Sequence, residues 1–104
     1  MIDPAHLRIE TMGSGHLTLV LREDASWSDF EIFAPRFLTE HGGTVVDKAD
    51  SPVDRIWTVQ LDGAKLSLVL DDYMARFELD ARDAAGDAVL STLAAKLGVR
   101  KTET

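Results

Sequence analysis

Residues 55–79 carry the sequence RIWTVQLDGAKLSLVLDDYMARFEL, and this stretch decides the fold. Apolar and polar residues alternate along it, and a period of two predicts β-strands with one buried and one solvated face. Asp62 and Gly63 predict a type I′ hairpin turn, because such a turn needs positive φ at both central residues. Residues 71–73 mark a second reversal of the chain. The stretch therefore predicts three consecutive strands of an antiparallel sheet.

Further strands are predicted on the N-terminal side of this stretch. Residues 6–12 and 16–22 alternate in the same way around Gly13-Ser14-Gly15, which predicts a hairpin. Residues 44–48 form one more strand, and the turn-forming residues 50–52 end it. The sequence thus predicts six strands, each with a single apolar face.

Two segments have helical periodicity. Apolar residues recur at three- and four-residue spacing over 27–41, and Gly42-Gly43 ends this first helix. Pro35 lies in its middle, so we expect a kink or a split there. A second helix begins after its N-cap, Asp83, and ends at Gly98; residues 99–104 are expected to be a frayed polar tail. Its apolar positions are Ala85, Val89, Leu90, Leu93, Ala94 and Leu97.

The predicted element order is β-β-α-β-β-β-β-α. One solvated face per strand is typical of a mostly antiparallel sheet covered on one side, and two helices with one apolar stripe each are enough to cover it. We therefore predict an α+β two-layer sandwich that forms a single domain over residues 1–104, with both helices on one face of a six-stranded sheet. The connection through the first helix is a crossover, which allows the second and third strands to run parallel with another strand between them.

Composition excludes several classes of function. The chain has 104 residues, with 18 Asp and Glu against 11 Lys and Arg, a formal net charge of -7. An excess of negative charge repels nucleic acid and anionic lipid, so neither is an expected partner. The absence of cysteine excludes disulfides, thiolate metal sites and cysteine nucleophiles. No asparagine and seven Arg to four Lys are typical of a GC-rich bacterial genome.

The sequence also predicts where the protein acts. Residues 1–6 lack the basic and apolar regions of a signal peptide, and apolar runs are far shorter than the ~20 residues that a membrane helix needs. We therefore expect a cytoplasmic protein that does not contact a membrane.

The histidines are the first candidates for chemistry. His6 and His16 could lie on neighbouring strands and bind a divalent metal as a facing pair, or they could simply face solvent. His41 ends the first helix, where an imidazolium suits the negative end of the helix dipole. No metal-spaced histidine motif is present in the chain.

Carboxylates and serines give no stronger signal. Asp71-Asp72 and the group Asp47, Asp50 and Asp54 are oxygen-rich, as calcium or magnesium sites are, but aspartate is also a common turn former. Ser14 lies in a predicted hairpin turn and in no nucleophile motif. The sequence therefore predicts no catalytic residue, no metal and no cofactor, and we expect that the protein is not an enzyme.

The uncovered face of the sheet is the remaining candidate. Arginines mixed with aliphatic residues are typical of interfaces, although an ordinary solvated face would have a similar composition. The side chains predicted on this face are Arg8, Glu10, Thr18, Val20, Arg22, Ile56, Thr58, Gln60, Ser67, Val69, Arg76 and Glu78. The residues predicted to form an interaction surface among them are Arg8, Val20, Arg22, Ile56, Val69 and Arg76. Edge strands offer a second docking route.

Three hypotheses of function follow. The first is a small acidic interaction module that binds a protein partner or a second copy, similar in size and charge to export chaperones and to proteins that neutralise toxic enzymes. The second is a homodimeric structural or ligand-binding domain with a cavity lined by Trp27, Trp57 and Tyr73. The third is a metal-dependent enzyme that uses His6, His16 and the loop at residues 71–72.

Overall fold

Six strands and two helices follow one another in the predicted order. The computed structural model describes residues 7–23, 27–51, 54–71 and 76–99. The strands are β1 (Arg8–Thr11), β2 (Leu17–Arg22), β3 (Thr44–Asp50), β4 (Asp54–Leu61), β5 (Ala64–Asp71) and β6 (Arg76–Ala81). The helices are α1 (Trp27–His41) and α2 (Ala84–Lys96). The α+β class and the element order are as predicted.

The strands form one sheet in the order β1-β2-β6-β5-β4-β3, and every neighbouring pair is antiparallel. This alternation makes β2 and β3 parallel, as the crossover through α1 allows. Three strands separate them, however, where the sequence predicted a single insertion. The reason is that β4, β5 and β6 fold back one after another towards β2, so β6 fills the position beside it.

Hairpin and helix ends form where glycine permits positive φ. Asp62 and Gly63 have φ values of 49° and 82°, as the predicted turn between β4 and β5 requires. Gly42 follows α1 with φ 73°, and the Gly43 N–H donates back to the Leu38 carbonyl at 2.8 Å. This is a six-to-one helix cap, and it ends α1 at the predicted position.

Pro35 lies within α1, which is continuous over its 15 residues. The predicted split therefore does not occur. Pro35 is on the exposed side of the helix, so its ring displaces nothing in the core. The missing N–H removes a single bond to the preceding turn, and the packing of both halves against the sheet keeps the helix in one piece.

The caps of α2 lie where the sequence places them. The Asp83 carboxylate accepts the Gly86 N–H at 2.8 Å, so Asp83 is the N-cap. At the other end, the Val99 N–H donates to the Ala94 carbonyl at 2.8 Å, and the Val99 side chain packs against the core. Val99 therefore belongs to the helix cap, and its assignment to the tail was wrong. The rest of the predicted tail, residues 100–104, lies outside the described residues.

The hydrophobic core fills the space between the helices and one face of the sheet. Phe30 of α1 is its centre, with edge contacts to Trp57 at 5.0 Å and to Phe77 at 5.2 Å between ring centroids. Leu90 and Leu93 of α2 complete it. Both helices therefore lie on the same face, as predicted, and leave the other face without a helix among the described residues.

Both helices are short. α1 has 15 residues and α2 has 13. Within the ranges that the structure describes, no helix has the length and apolar character needed to cross a membrane.

Candidate functional site

Five of the six predicted interaction residues lie on the face of the sheet that points away from α1 and α2, which we call the open face. Register pairs connect four of them into one row that crosses the sheet from β1 to β4. This row consists of Arg8, Val20, Glu78, Val69 and Ile56. The fifth residue, Arg76, precedes Glu78 by two positions on β6 and so shares its face.

Arg22 is the exception, and its predicted position was wrong. The register of β2 against β6 shifts between Val20 and Arg22, so Arg22 pairs with the core residue Phe77. The extra residue of a β-bulge disrupts the alternation of side chains. As a result the Arg22 guanidinium lies on the helix side, 3.9 Å from the Asp29 carboxylate of α1.

A buried polar group lies at the middle of the open face. The Thr18 hydroxyl is 3.1 Å from a Glu78 carboxyl oxygen and 2.5 Å from an Asp80 carboxyl oxygen. Thr18 is 2% exposed and Glu78 8% exposed, although neither of the described helices covers them. We call these three residues the polar centre.

Arginines and a glutamate flank the polar centre. Arg76 Nε lies 3.2 Å from Glu78, and another of its nitrogens lies 3.5 Å from Glu10 on β1. Glu10 also accepts from Arg8 Nε at 2.6 Å. A chain of alternating charges thus runs from β1 to β6, in which each charged group fixes the next one.

Arg82 lies on the other side of the polar centre. It follows β6 and reaches back across the sheet, donating to the Ser67 hydroxyl at 2.9 Å and to the Thr58 hydroxyl at 2.8 Å. These contacts connect the end of β6 to β5 and β4. The Arg82 residue is exposed.

Sequence reasoning missed Asp80 and Arg82. Asp80 stands two positions after Glu78, so the period of two already placed it on the open face. Arg82 follows the end of the strand, where alternation gives no direction for a side chain. Only the fold shows that it returns to Ser67 and Thr58.

The two carboxyl groups of the polar centre have opposite pKa shifts. Burial, together with the hydrogen bond shared with Glu78, raises the pKa of Asp80 to about 7. Burial alone would also raise the pKa of Glu78, but the hydrogen bond from Asp80 and the charge of Arg76 outweigh it and lower that pKa. Opposite shifts are expected of a pair that holds one proton between two carboxyl groups.

The chain was compared with known proteins. A family model described as "Protein of unknown function (DUF3630)" matches residues 7–98. The chain belongs to the DUF3630 family. The match runs from just before β1 to just after α2, so it includes every strand and helix described above. No curated protein and no solved structure matches the chain.

In this DUF3630 chain, His16 is bonded to a carboxylate. Its Nδ1 lies 2.8 Å from Asp87 of α2, and the other oxygen of that carboxylate accepts the Leu17 N–H at 2.9 Å. The hydrogen bond with His16, and then that from Leu17, lower the pKa of Asp87. This contact fastens the β1–β2 hairpin to α2. His6, its predicted partner in a metal site, lies outside the described residues.

One residue of the acidic loops, Asp50, is accounted for in a similar way. Asp50 accepts from Arg55 at 3.0 Å and from the Trp57 indole N–H at 3.2 Å, so it belongs to a structural cluster beside the core. Residue 72 and the side chains of residues 54 and 71 are not among those described. Within the described part of the DUF3630 chain, no three acidic or histidine side chains are grouped as a metal ion requires.

The aromatic residues of the predicted ligand cavity are only partly described. Trp57 is buried against Phe30, and Lys48 Nζ lies 4.2 Å from the centre of its ring. Tyr73 and the side chain of Trp27 lie outside the described part. His41 ends α1, as predicted, with its ring 4.7 Å from that of Phe37.

Proposed function

We propose that this chain is a small interaction module, without catalytic activity, that binds a protein with a basic surface through the open face. The observation that carries the proposal is the fixed network of arginines and carboxylates on a face that no described helix covers. Side chains already held by Arg8–Glu10 and Arg76–Glu78 contacts lose little conformational freedom when a partner binds.

Two aliphatic residues support the same proposal. Val69 and Ile56 lie side by side on β5 and β4, and each is half-buried within the sheet alone. They lie in the same row as Glu78, next to the polar centre. An apolar contact beside ordered charged groups is the usual composition of a protein interface.

The charge of the whole molecule supports a basic partner. The formal net charge is -7, and long-range attraction of this kind raises the association rate of oppositely charged proteins. A cytoplasmic location is part of the proposal, since a chain without cysteine suits a reducing compartment.

Self-association is a second candidate, favoured by one observation. β3 is an edge strand in which all seven residues are exposed, including Val45 and Val46. An exposed edge offers unpaired backbone groups to a second copy. Against this, the register of β3 shifts between Val45 and Asp47, and such a bulge discourages pairing of an edge.

A photo-crosslinking experiment separates these candidates. A photoreactive residue is placed at Ile56 on the open face, at Val46 on β3, or at Thr39 on the exposed side of α1 as the control. We expect the Ile56 probe alone to capture one heterologous basic protein from native cells at low salt, with capture decreasing as salt rises. Crosslinks between copies from Val46 favour self-association. Equal capture from Thr39 contradicts a binding role of the open face.

A further inference from the structure

The hydroxyl group of Thr18 is in contact with two carboxyl groups but carries a single proton. It can donate that proton to Glu78 or to Asp80, and it has lone pairs with which to accept. If both carboxyl groups were ionised, the single hydroxyl proton could serve only one of the two contacts. In the other contact the hydroxyl oxygen would face a carboxylate oxygen with no proton between them. Both contacts are hydrogen bonds when one carboxyl group is protonated. That group donates to the Thr18 hydroxyl oxygen, and the hydroxyl donates to the other carboxylate.

We infer that Thr18, Glu78 and Asp80 form a proton-operated switch. The three side chains stay bonded to one another at the centre of the open face while one proton remains on the carboxyl pair. Asp80 is the group that carries the proton, because Arg76 lies against Glu78 and stabilises that carboxylate. Loss of the proton leaves two negative groups with one hydroxyl between them. Their repulsion turns the Asp80 side chain, which is half-buried, out towards solvent.

The pKa of Asp80, raised to about 7 by burial and by the bond with Glu78, places this change in the neutral range. The surrounding charges are of both signs. Among the described side chains, the charged groups on the same face of the sheet as the pair belong to β1, β3, β5 and β6 and to the residue after β6. They are Arg8, Glu10, Asp47, Lys65, Arg76 and Arg82. On the opposite face, Asp87 of α2 is engaged by His16 and by the Leu17 N–H.

The switch is inferred from the contacts described above. Its test therefore uses the full chain and needs no partner. Its effect on binding rests on the proposed function: an additional negative charge on the open face would strengthen attachment of a basic protein. Failure of the crosslinking experiment would therefore leave the switch intact, and failure of the switch would leave the docking face intact.

Carboxyl ¹³C chemical shifts followed from pH 4 to 9 report the proton directly. We expect Asp80 to titrate with a midpoint of about 7. In Glu78→Gln the midpoint should move downward, because Glu78 raises the pKa of Asp80 through its hydrogen bond and its negative charge. The exposed Asp47→Asn variant is the matched control. Asp47 lies in the same row of the sheet but three strands away from Asp80, about 14 Å at the usual strand spacing and beyond the screening length, so its removal should leave the midpoint unchanged. A midpoint near 4 for Asp80 in the unmodified chain overturns the switch.

Thermal melting supplies the second readout. A carboxyl group whose pKa is raised by folding stabilises the protein below its unfolded pKa, and this stability is lost as pH rises through the folded pKa. The unmodified chain and Asp47→Asn should therefore have a lower Tm at pH 8.5 than at pH 5, whereas Asp80→Asn should show no such drop. An equal drop in Asp80→Asn contradicts the inference. Should Asp80→Asn not fold, the titration midpoints of the unmodified chain and Glu78→Gln decide.

Discussion

Gly86 lies at the closest approach of α2 to the sheet. A Cβ atom at this position would be 3.0 Å from Leu66 Cδ2 and 3.2 Å from the Ala81 Cβ. Alanine is otherwise the better helix former, by about 1 kcal/mol. Alanine at position 86 would therefore have two effects of opposite sign on stability. The contact with Ala81 outweighs helix propensity, because part of it is with backbone, which cannot rotate away.

We expect Gly86→Ala to lower the free energy of unfolding by about 1–3 kcal/mol, the usual cost of overpacking, despite the gain in helix propensity. Urea denaturation measures it. Ala85→Gly, at an exposed position of the same helix, is the comparison and should cost about 1 kcal/mol from propensity alone. A more stable Gly86→Ala variant would show that α2 can move away from Ala81 at little cost.

At the level of elements, Pro35 distinguishes the contribution of packing from that of helix propensity. α1 stays continuous around a residue that lacks an N–H, so tertiary contacts on both sides of Pro35 hold it together. Pro35→Ala should restore the missing hydrogen bond and raise the free energy of unfolding by about 1–2 kcal/mol. The gain stays below the full propensity difference because proline also restricts the unfolded chain.

The same urea titration measures this change, with Arg36→Ala on the exposed side of the helix as its control. Arg36→Ala should change stability by less than about 0.5 kcal/mol. A loss of stability in Pro35→Ala, rather than a gain, would mean that the proline sets a bend that the packing of α1 requires.

Element type follows from the sequence much more readily than element arrangement. A period of two along residues 55–79 and Gly next to the helix ends are local signals, and both were sufficient. Strand order depends on pairings between residues far apart in the chain, which periodicity does not contain. The bulge that turns Arg22 to the helix side cannot be predicted from the sequence either, because residues 16–22 alternate without interruption.

The candidate site was predictable to a similar extent. The period of two assigns Arg8, Val20, Ile56, Val69 and Arg76 to the open face, and the register confirms that placement. The proton held at its centre could not be foreseen. It depends on three side chains from two strands meeting within hydrogen-bond distance and on their burial, neither of which alternation describes.

At the level of the whole molecule, the contact between His16 and Asp87 connects the N-terminal hairpin to the C-terminal helix. Folding lowers the pKa of Asp87. A depressed carboxyl pKa contributes stability that is present above the unfolded pKa, about 3.9, and is lost as pH falls through the folded pKa. This contact should therefore weaken below about pH 4.

We expect Asp87→Asn to melt at a lower temperature than the unmodified chain at pH 6, and the difference to shrink as pH falls towards 2.5. Thermal unfolding followed by circular dichroism measures both. Ser91→Ala, at an exposed position of α2, removes no titratable group and is the control, and its difference from the unmodified chain should not change with pH. If the Tm difference between Asp87→Asn and the unmodified chain is constant with pH, the carboxylate contributes no pH-dependent stability.

The place of β6 in the sheet has a consequence for synthesis. β1 pairs with β2, and β3, β4 and β5 pair in succession, but these two groups meet only through β6. A nascent chain leaves the ribosome N-terminus first, so both groups emerge before the strand that joins them. Until β6 (Arg76–Ala81) emerges, β2 and β5 each have an unpaired edge. Closure of the sheet is thus among the last folding events available to the growing polypeptide.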